Sequence, residues 1–292
     1  MRTLVVTADD VGLHPGMTLG ALRAHERGIV TACSVVANGQ ALDDAVEKLR
    51  DRPKLDAGVH LTFVGGERPL SPPNQVRSLL GPDGAFLPGF RAFAARYFLG
   101  RIAAAELEAE LRRQIERLLA SGLRLVHANS HQHLHVLPRV FEIVLKLAEE
   151  HRIPWVRVPR DPAAHRGLNP RALEIAILNR IGRTAHGQAK GRRIETAGRT
   201  VGILDAGRLT PGRLVRILGD VEGITELVCH PGVGDGELAE AYDWGYGWDE
   251  ETAALCDPEV KEGLRNREIT LRGFSEFPDR ALPLHEVERD RG

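Results

Sequence analysis

Repeated strand-then-helix units predict an α/β fold for this chain of 292 residues, an irregular (β/α) barrel of TIM type with about seven or eight strands. Three observations carry that expectation. Apolar, β-rich runs alternate with amphipathic stretches along most of the chain. Polar, titratable residues gather where those runs end, and a barrel sets its working groups at the carboxyl ends of its strands. No glycine fingerprint marks a dinucleotide site of the open, doubly wound kind, since Gly12 and Gly16 do not make G-x-G-x-x-G.

Residues 3–8, Thr-Leu-Val-Val-Thr-Ala, are apolar on both sides of the pleat, as a buried parallel strand is, and Asp9-Asp10 stand at their carboxyl end. After a loop over 11–15, a helix is predicted over 17–26, stopped by Gly28. A strand over 30–37, a helix over about 40–50 and a strand over 55–61, which carries Gly58-Val-His60-Leu, extend the rhythm. Residues 62–100 break it with Pro69, Pro72, Pro73, Pro82 and Pro88 among several glycines, a candidate lid or substrate-binding excursion. Leu107, Leu111, Ile115 and Leu118 mark one face of a helix over about 103–121. Gly122 ends it, and a strand over 123–128 delivers His127-Ala-Asn-Ser-His-Gln-His-Leu-His135. Beyond Pro138 the pattern predicts a helix to about 151, a strand over 155–158 and a helix over 170–181. A strand over 200–204, a helix over 211–220 and a strand over 224–229 follow, the last ending at His230-Pro-Gly232. The loop 231–248 is rich in glycine and aromatics, and helices over about 249–265 precede a strand over 269–271. The basic stretch 182–199 has no periodicity to assign.

With 42% hydrophobic residues the chain is able to bury a full core, and residues 1–292 read as a single barrel domain with an insertion at about 62–100. Lys+Arg 39 against Asp+Glu 40 leaves a net charge of -1, which excludes a broad basic field for nucleic acid or anionic lipid. Arginines cluster over 157–199, but acids interrupt them and the run reads as solvated surface. Cys33, Cys229 and Cys256 are too few and scattered for a disulfide framework, so a cytoplasmic home is expected. The run Leu4-Val-Val6 ends at Asp9-Asp10, far short of a signal core or spanning helix, and no stable membrane insertion is expected.

Four polar clusters fall at carboxyl ends of predicted parallel strands: Asp9-Asp10, His60, His131 to His135, and His230. Histidines at 131, 133 and 135 would share one side of an extended chain. With 12 His in 292 residues, chance produces that spacing only roughly 0.02 times. A solvated, tag-like tract is the alternative, but a tag belongs at a terminus. Taken alone, His60 reads as a hydrogen-bonded core histidine. Two adjacent carboxylates after a buried strand repel and cost desolvation unless a cation or proton offsets them. Joined to His60 and His131, one of the two aspartates completes a two-His, one-carboxylate set that leaves positions open for water and substrate. The other is then free to act as a base on a water acidified by the cation.

Thr7-Ala-Asp-Asp-Val-Gly12, Gly58-Val-His60-Leu, His127 to His135 and Cys229-His230-Pro-Gly232 together resemble, in order, the motifs of the YdjC/ChbG family of carbohydrate deacetylases. The resemblance spans residues 1–235. Arg96-Tyr-Phe98 and Val156-Arg-Val-Pro159 look closest to the hopanoid-biosynthesis branch. The resemblance implies an irregular (β/α) barrel and metal-assisted removal of acetyl from an N-acetylated sugar, which is an oligosaccharide or a glycolipid such as an N-acetylglucosaminyl hopanoid. Carried over by motif, Asp10, His60 and His131 hold one divalent metal, Mg2+ or Zn2+, and Asp9 is the catalytic base. It also implies a homodimer. Where the family has His-x-Asp-Ser-His this chain has Asn129, which leaves an orienting role by hydrogen bonding but not one that needs negative charge. His133 and His135 orient ligands or line the sugar cleft, or, for His135, serve structure alone.

His230 is the candidate acid for the departing amine, its alternative being a residue that merely caps a strand. Arg157 is placed to pair with Asp9 and hold it ionised, or else lies on the surface. Tyr242, Trp244, Tyr246 and Trp248 alternate with small or acidic residues. Trp244 and Trp248 are therefore candidates for a wall against sugar rings, unless the loop folds its aromatics into the core. An amidohydrolase-type barrel is disfavoured because its His pair belongs on the first strand, where Asp9-Asp10 stand here. A non-catalytic sugar-binding module with a decayed site ranks below catalysis because every ligand type is present.

Overall fold

A computed structural model describes residues 2–162, 170–192 and 194–278. β1 (Arg2–Val11) leads through α1 (Pro15–Arg27) to β2 (Ala32–Val35), α2 (Leu42–Arg50) and β3 (Asp56–Leu61). The Pro- and Gly-rich insertion folds into turns and α3 (Phe90–Phe98) before α4 (Ala104–Ala120) and β4 (Leu125–Ser130) restore the alternation. α5 (Pro138–Glu150), β5 (Trp155–Val156), α6 (Pro170–Gly191), β6 (Arg199–Val201), α7 (Pro211–Ile217) and β7 (Gly223–Cys229) follow. α8 (Asp235–Ala241), α9 (Trp248–Cys256), α10 (Pro258–Asn266) and β8 (Ile269–Leu271) complete the order.

β1 is buried along its length after Arg2, which its two-sided apolar sequence requires, and the sheet is built outward from it. The strands run in the order β5-β4-β3-β2-β1-β7-β6, all parallel, with β8 pairing the first three residues of β1. The sheet curls into a half-barrel. Among the described residues no ladder joins β5 to β6; an isolated parallel bridge between Trp155 and Glu195, made by Val156 N–H to the Glu195 carbonyl (3.0 Å) and Glu195 N–H to the Pro154 carbonyl (2.8 Å), and the Thr200 N–H to Arg160 carbonyl bond (3.3 Å) span the gap. β5 has two residues where four were expected, although Arg157 N–H still donates to the Ala128 carbonyl of β4 at 2.9 Å.

Two more expectations change. Ten residues of the unassigned basic stretch, 182–191, belong to α6. The glycine- and aromatic-rich loop contains a short helix, α8. The insertion is not held by apolar packing alone. Glu110 and Gln114 share the buried face of α4 with Leu107, Leu111, Ile115 and Leu118, and they satisfy its backbone. Glu110 accepts from Leu70 N–H (3.0 Å) and Ser71 N–H (2.8 Å), and Gln114 brackets both polar groups of Thr62 (2.9 and 2.7 Å). Among the described residues no helix is long and apolar enough to cross a membrane.

Candidate active site

The carboxyl ends of β1, β3, β4 and β7 open on one cavity of about 570 Å3. Side chains of a regular strand alternate between faces, yet Asp9 and Asp10 both line this cavity. The β1–β2 register shifts between Ala8 and Val11, and Asp10 takes the left-handed conformation at φ 64°. This bulge re-aims the second carboxylate into the space the first already faces.

Asp10, His60 and His131 offer ligand atoms that all lie within 4.8 Å of one another. Asp10 Oδ1 is 3.2 Å from His60 Nε2 and 3.2 Å from His131 Nδ1. His60 donates its Nδ1–H to Asn129 Oδ1 at 2.7 Å, which leaves the Nε2 lone pair bare, and that nitrogen is buried without a hydrogen-bond partner. A lone pair facing a carboxylate oxygen at this distance calls for a proton or a cation between them. Burial works to lower the proton affinity of His60, but Asp9 and Asp10 outweigh it and raise it. Burial would raise the Asp10 carboxyl; the two imidazoles outweigh that and hold it well below its ordinary value. The N2O donor set, fixed tautomer and demand for positive charge fit a divalent cation with open positions on the cavity side, borderline or hard.

Asp9 is 2% exposed and receives a forked contact from Arg157, whose Nη1 and Nη2 lie 2.5 and 2.9 Å from its two oxygens. Burial alone would raise the Asp9 carboxyl, but the Arg157 guanidinium outweighs it, with His60 adding to the effect, and the carboxyl lies well below the usual carboxylate range. Arg157 is itself 3% exposed, so the surface alternative does not apply. Its Nε and Nη2 also reach Glu226 Oε1 at 3.0 and 2.8 Å, and Thr7 donates its hydroxyl to the same oxygen at 2.9 Å. Asn129 completes the underside. Its Nδ2 donates to Asp9 Oδ1 (3.2 Å) and to Ser34 Oγ (2.7 Å) while its carbonyl oxygen fixes His60. An aspartate here could receive the His60 proton but could not donate to Asp9.

The histidine tract is not extended. His131–Val136 form a tight 3-10 turn in which Gln132 and His133 adopt left-handed backbone angles, φ 55° and 56°, so the expected alternation of side chains fails. His131 and His133 line the cavity, and His133 Nδ1 is buried without a partner. His135 turns away from it: its Nε2–H donates to the Arg157 carbonyl (2.7 Å) and its Nδ1 accepts from the Ser130 hydroxyl (2.8 Å). Burial brings His135 down to about 3, so it is a neutral strut beneath the site, not a cleft residue.

Trp244 packs on the His131 ring at 5.2 Å between centroids and lines the cavity beside Tyr246. Trp248 does not. It is 1% exposed and packs with Leu13, Met17, Val36 and Leu238, which corrects its assignment to the sugar wall. His230, immediately after β7, lines the cavity and packs against the Tyr246 ring at 5.2 Å. Burial lowers its proton affinity, with Asp10 and Asp9 opposing.

Ser34, Glu226, Glu251 and Arg171 were missed by sequence reasoning. A polar residue inside an apolar parallel strand, Ser34 in Ala-Cys-Ser-Val and Glu226 in Ile-Thr-Glu-Leu-Val, was the available signal. Glu251 follows Asp249-Glu250 in the first turn of α9 and reads as ordinary helix-start acidity. Arg171 lies in the first turn of α6 and lines the cavity; nothing in its surroundings distinguished it.

A family profile described as YdjC-like protein matches residues 3–266. The chain is 32% identical over 276 residues to a carbohydrate deacetylase of Brevibacillus brevis, covering 94% of this chain and 99% of that protein. It is 31% identical over 277 residues to a carbohydrate deacetylase of Geobacillus stearothermophilus, covering 94% and 98%. A crystal structure from Enterococcus faecalis, described as a candidate cellobiose-phosphate cleavage protein, shares the fold with a TM-score of 0.73 at 24% identity, covering 94% of this chain and 98% of that one.

Proposed function

The chain belongs to the YdjC-like family, and from that premise we propose that it is a carbohydrate deacetylase that hydrolyses the acetamide of an N-acetylated sugar. The observation that carries this reading is the meeting, in one cavity, of the Asp10, His60 and His131 donor set with an arginine-held Asp9. A divalent cation held by those three residues would supply the Lewis acidity that polarises an acetamide carbonyl and brings water within reach of so weak a base as Asp9.

Each protein group then has a part. Arg157 keeps Asp9 ionised and fixed by its two-pronged contact. Asp9 takes a proton from the attacking water. Asn129 holds Asp9 and sets the His60 tautomer, so that Nε2 is the ligating nitrogen. His230 gives a proton to the amine nitrogen as the C–N bond breaks and acetate separates. Trp244 and Tyr246 offer aromatic faces to the sugar ring.

We infer further that the sugar is joined to an apolar group, as in an N-acetylglucosaminyl hopanoid. A second cavity of about 310 Å3 supports this, because it shares Phe90, Gln132, His133 and Glu174 with the catalytic one and continues between α3 and α6. Phe98 and Ile177 on its walls are 74% and 55% exposed, an apolar surface without a partner among the described residues.

Acetate release from soluble N-acetylglucosamine oligomers and from a lipid-linked N-acetylglucosamine, with and without a chelator, tests both levels. Release that a chelator stops is expected, and is expected to be faster on the lipid-linked substrate. No release from any N-acetylated sugar by metal-loaded protein would overturn the reading.

A further inference from the structure

Glu251 enters the site from α9, 21 residues after His230. It is completely buried, and its Oε1 accepts the backbone N–H of His230 at 2.6 Å. Its Oε2 accepts Leu209 N–H at 3.5 Å, and the backbone at Gly207 also bonds to it. Oε1 lies 4.0 Å from His230 Nδ1, a buried nitrogen with no hydrogen-bond partner. Among the described residues, the His230 imidazole is the one side chain able to carry positive charge within 4.0 Å of this carboxylate. Nδ1, facing Glu251, and Nε2, at the far side of the ring, thus have different surroundings.

We propose that Glu251 is the positioning residue for His230: it anchors the backbone that carries the imidazole and supplies the counter-charge that keeps a proton on Nδ1, so that Nε2 is the nitrogen that delivers a proton to the leaving amine. In the step itself the C–N bond breaks as nitrogen takes the Nε2 proton, and the Nδ1 proton stays on the imidazole, on the side that faces Glu251. A buried imidazole loses proton affinity. A carboxylate behind a histidine opposes that loss, as Asp10 and Asp9 also do, although burial still prevails at His230.

Other charges reach the pair. Asp9 and Asp10 from β1, His60 from β3, His133 and Arg157 all act on His230, and Asp205 acts on Glu251. Burial pushes Glu251 up to about 8, with the backbone donors at His230, Leu209 and Gly207 opposing, so the charged carboxylate is the form that gains as pH rises through that range. Asp9 and Asp10 belong to the other half of the reaction. Among the described residues Glu251 is the one side chain hydrogen-bonded to the His230 backbone, and it lies 4.0 Å from Nδ1 of its ring.

The proposal rests on the deacetylase reading, and acetate release by the unaltered protein, measured first, separates failure of that reading from failure of this one. Glu251→Gln keeps an oxygen for the His230 N–H and removes the charge. Its kcat on an N-acetylated sugar should fall about 10²-fold, with KM within about twofold of the parent. Hydrolysis of p-nitrophenyl acetate, whose phenolate departs without needing a proton, should stay within about threefold. Unchanged kcat on the sugar, or equal losses on both substrates, would reduce Glu251 to a packing role and overturn the proposal. A measurement on the unaltered, metal-loaded protein needs no variant: long-range 1H–15N spectra report which nitrogen of His230 carries the proton. A protonated Nδ1 is expected, and a bare Nδ1 across the active pH range overturns the assignment.

Discussion

Replacing Arg157 by methionine removes the positive charge from a pocket that holds two carboxylates. The guanidinium is shared by Asp9, at 2.5 and 2.9 Å, and Glu226, at 2.8 and 3.0 Å, and arginine and acids are each 3% exposed or less. Breaking a buried ion pair from one side costs about 3–5 kcal/mol, because the charge left behind has neither water nor partner. At about 2–4 °C per kcal/mol for a domain of this size, Tm should fall by roughly 6–20 °C at neutral pH. The pH dependence has a definite sign. In the parent, the Asp9 carboxyl lies below its unfolded value, so its contribution is complete above the unfolded value and is lost as pH falls through the folded one. In the variant only the smaller effects of His60 and His230 still oppose burial, so the carboxyl is expected to rise above the unfolded value, and the penalty is largest at neutral pH and relaxes as acid protonates the group. The Tm difference between parent and variant should therefore narrow from about pH 7 to about pH 5. Differential scanning calorimetry of both proteins in chelator, so that bound metal does not mask the effect, measures it. A deficit under about 2 °C at pH 7, or one that widens on acidification, would refute the reasoning. Adding Glu226→Gln should recover part of the loss by removing one of the stranded charges.

Three further outcomes are expected. Asp9→Asn should lower kcat for acetate release by at least about 10³-fold while metal content, read by elemental analysis, stays at the parent's stoichiometry; near-normal hydrolysis would show that the base lies elsewhere. Trp244→Ala should raise KM about tenfold with kcat little changed, whereas Trp248→Ala should leave KM alone and cost about 3–5 kcal/mol of stability in denaturant unfolding. The reverse pattern would mean that the sugar wall and the core residue have been exchanged. Ile177→Asp, in the apolar groove, should cut kcat/KM for a lipid-linked substrate at least about tenfold and spare a soluble one; equal effects on the two would remove the groove from the substrate path.

The local signals read well where one element's own pattern decides the matter. Leu107, Leu111, Ile115 and Leu118 announce the buried face of α4, and a two-sided apolar run announces β1 as a central strand. The tract at 131–135 misled because period-two reasoning assumes extended backbone, and two consecutive left-handed residues remove that assumption. Trp248 misled because alternation of aromatics does not say which face the core will take. Arg157 and Asp9 lie 148 residues apart, and no spacing rule connects them.

The sequence by itself determined the alternation of strands and helices, the residues at the strand ends and the family, because each depends on short-range periodicity or on motifs that survive as strings. Only the tertiary structure decided which imidazoles face the cavity, that one arginine binds two buried acids, that Asn129 links His60 to Asp9, and that Glu251 lies behind His230. The physical reason is that burial and charge pairing depend on which distant segments share a low-dielectric volume. A carboxylate's proton affinity is set by the neighbours that folding brings to it, and these are not its neighbours along the chain.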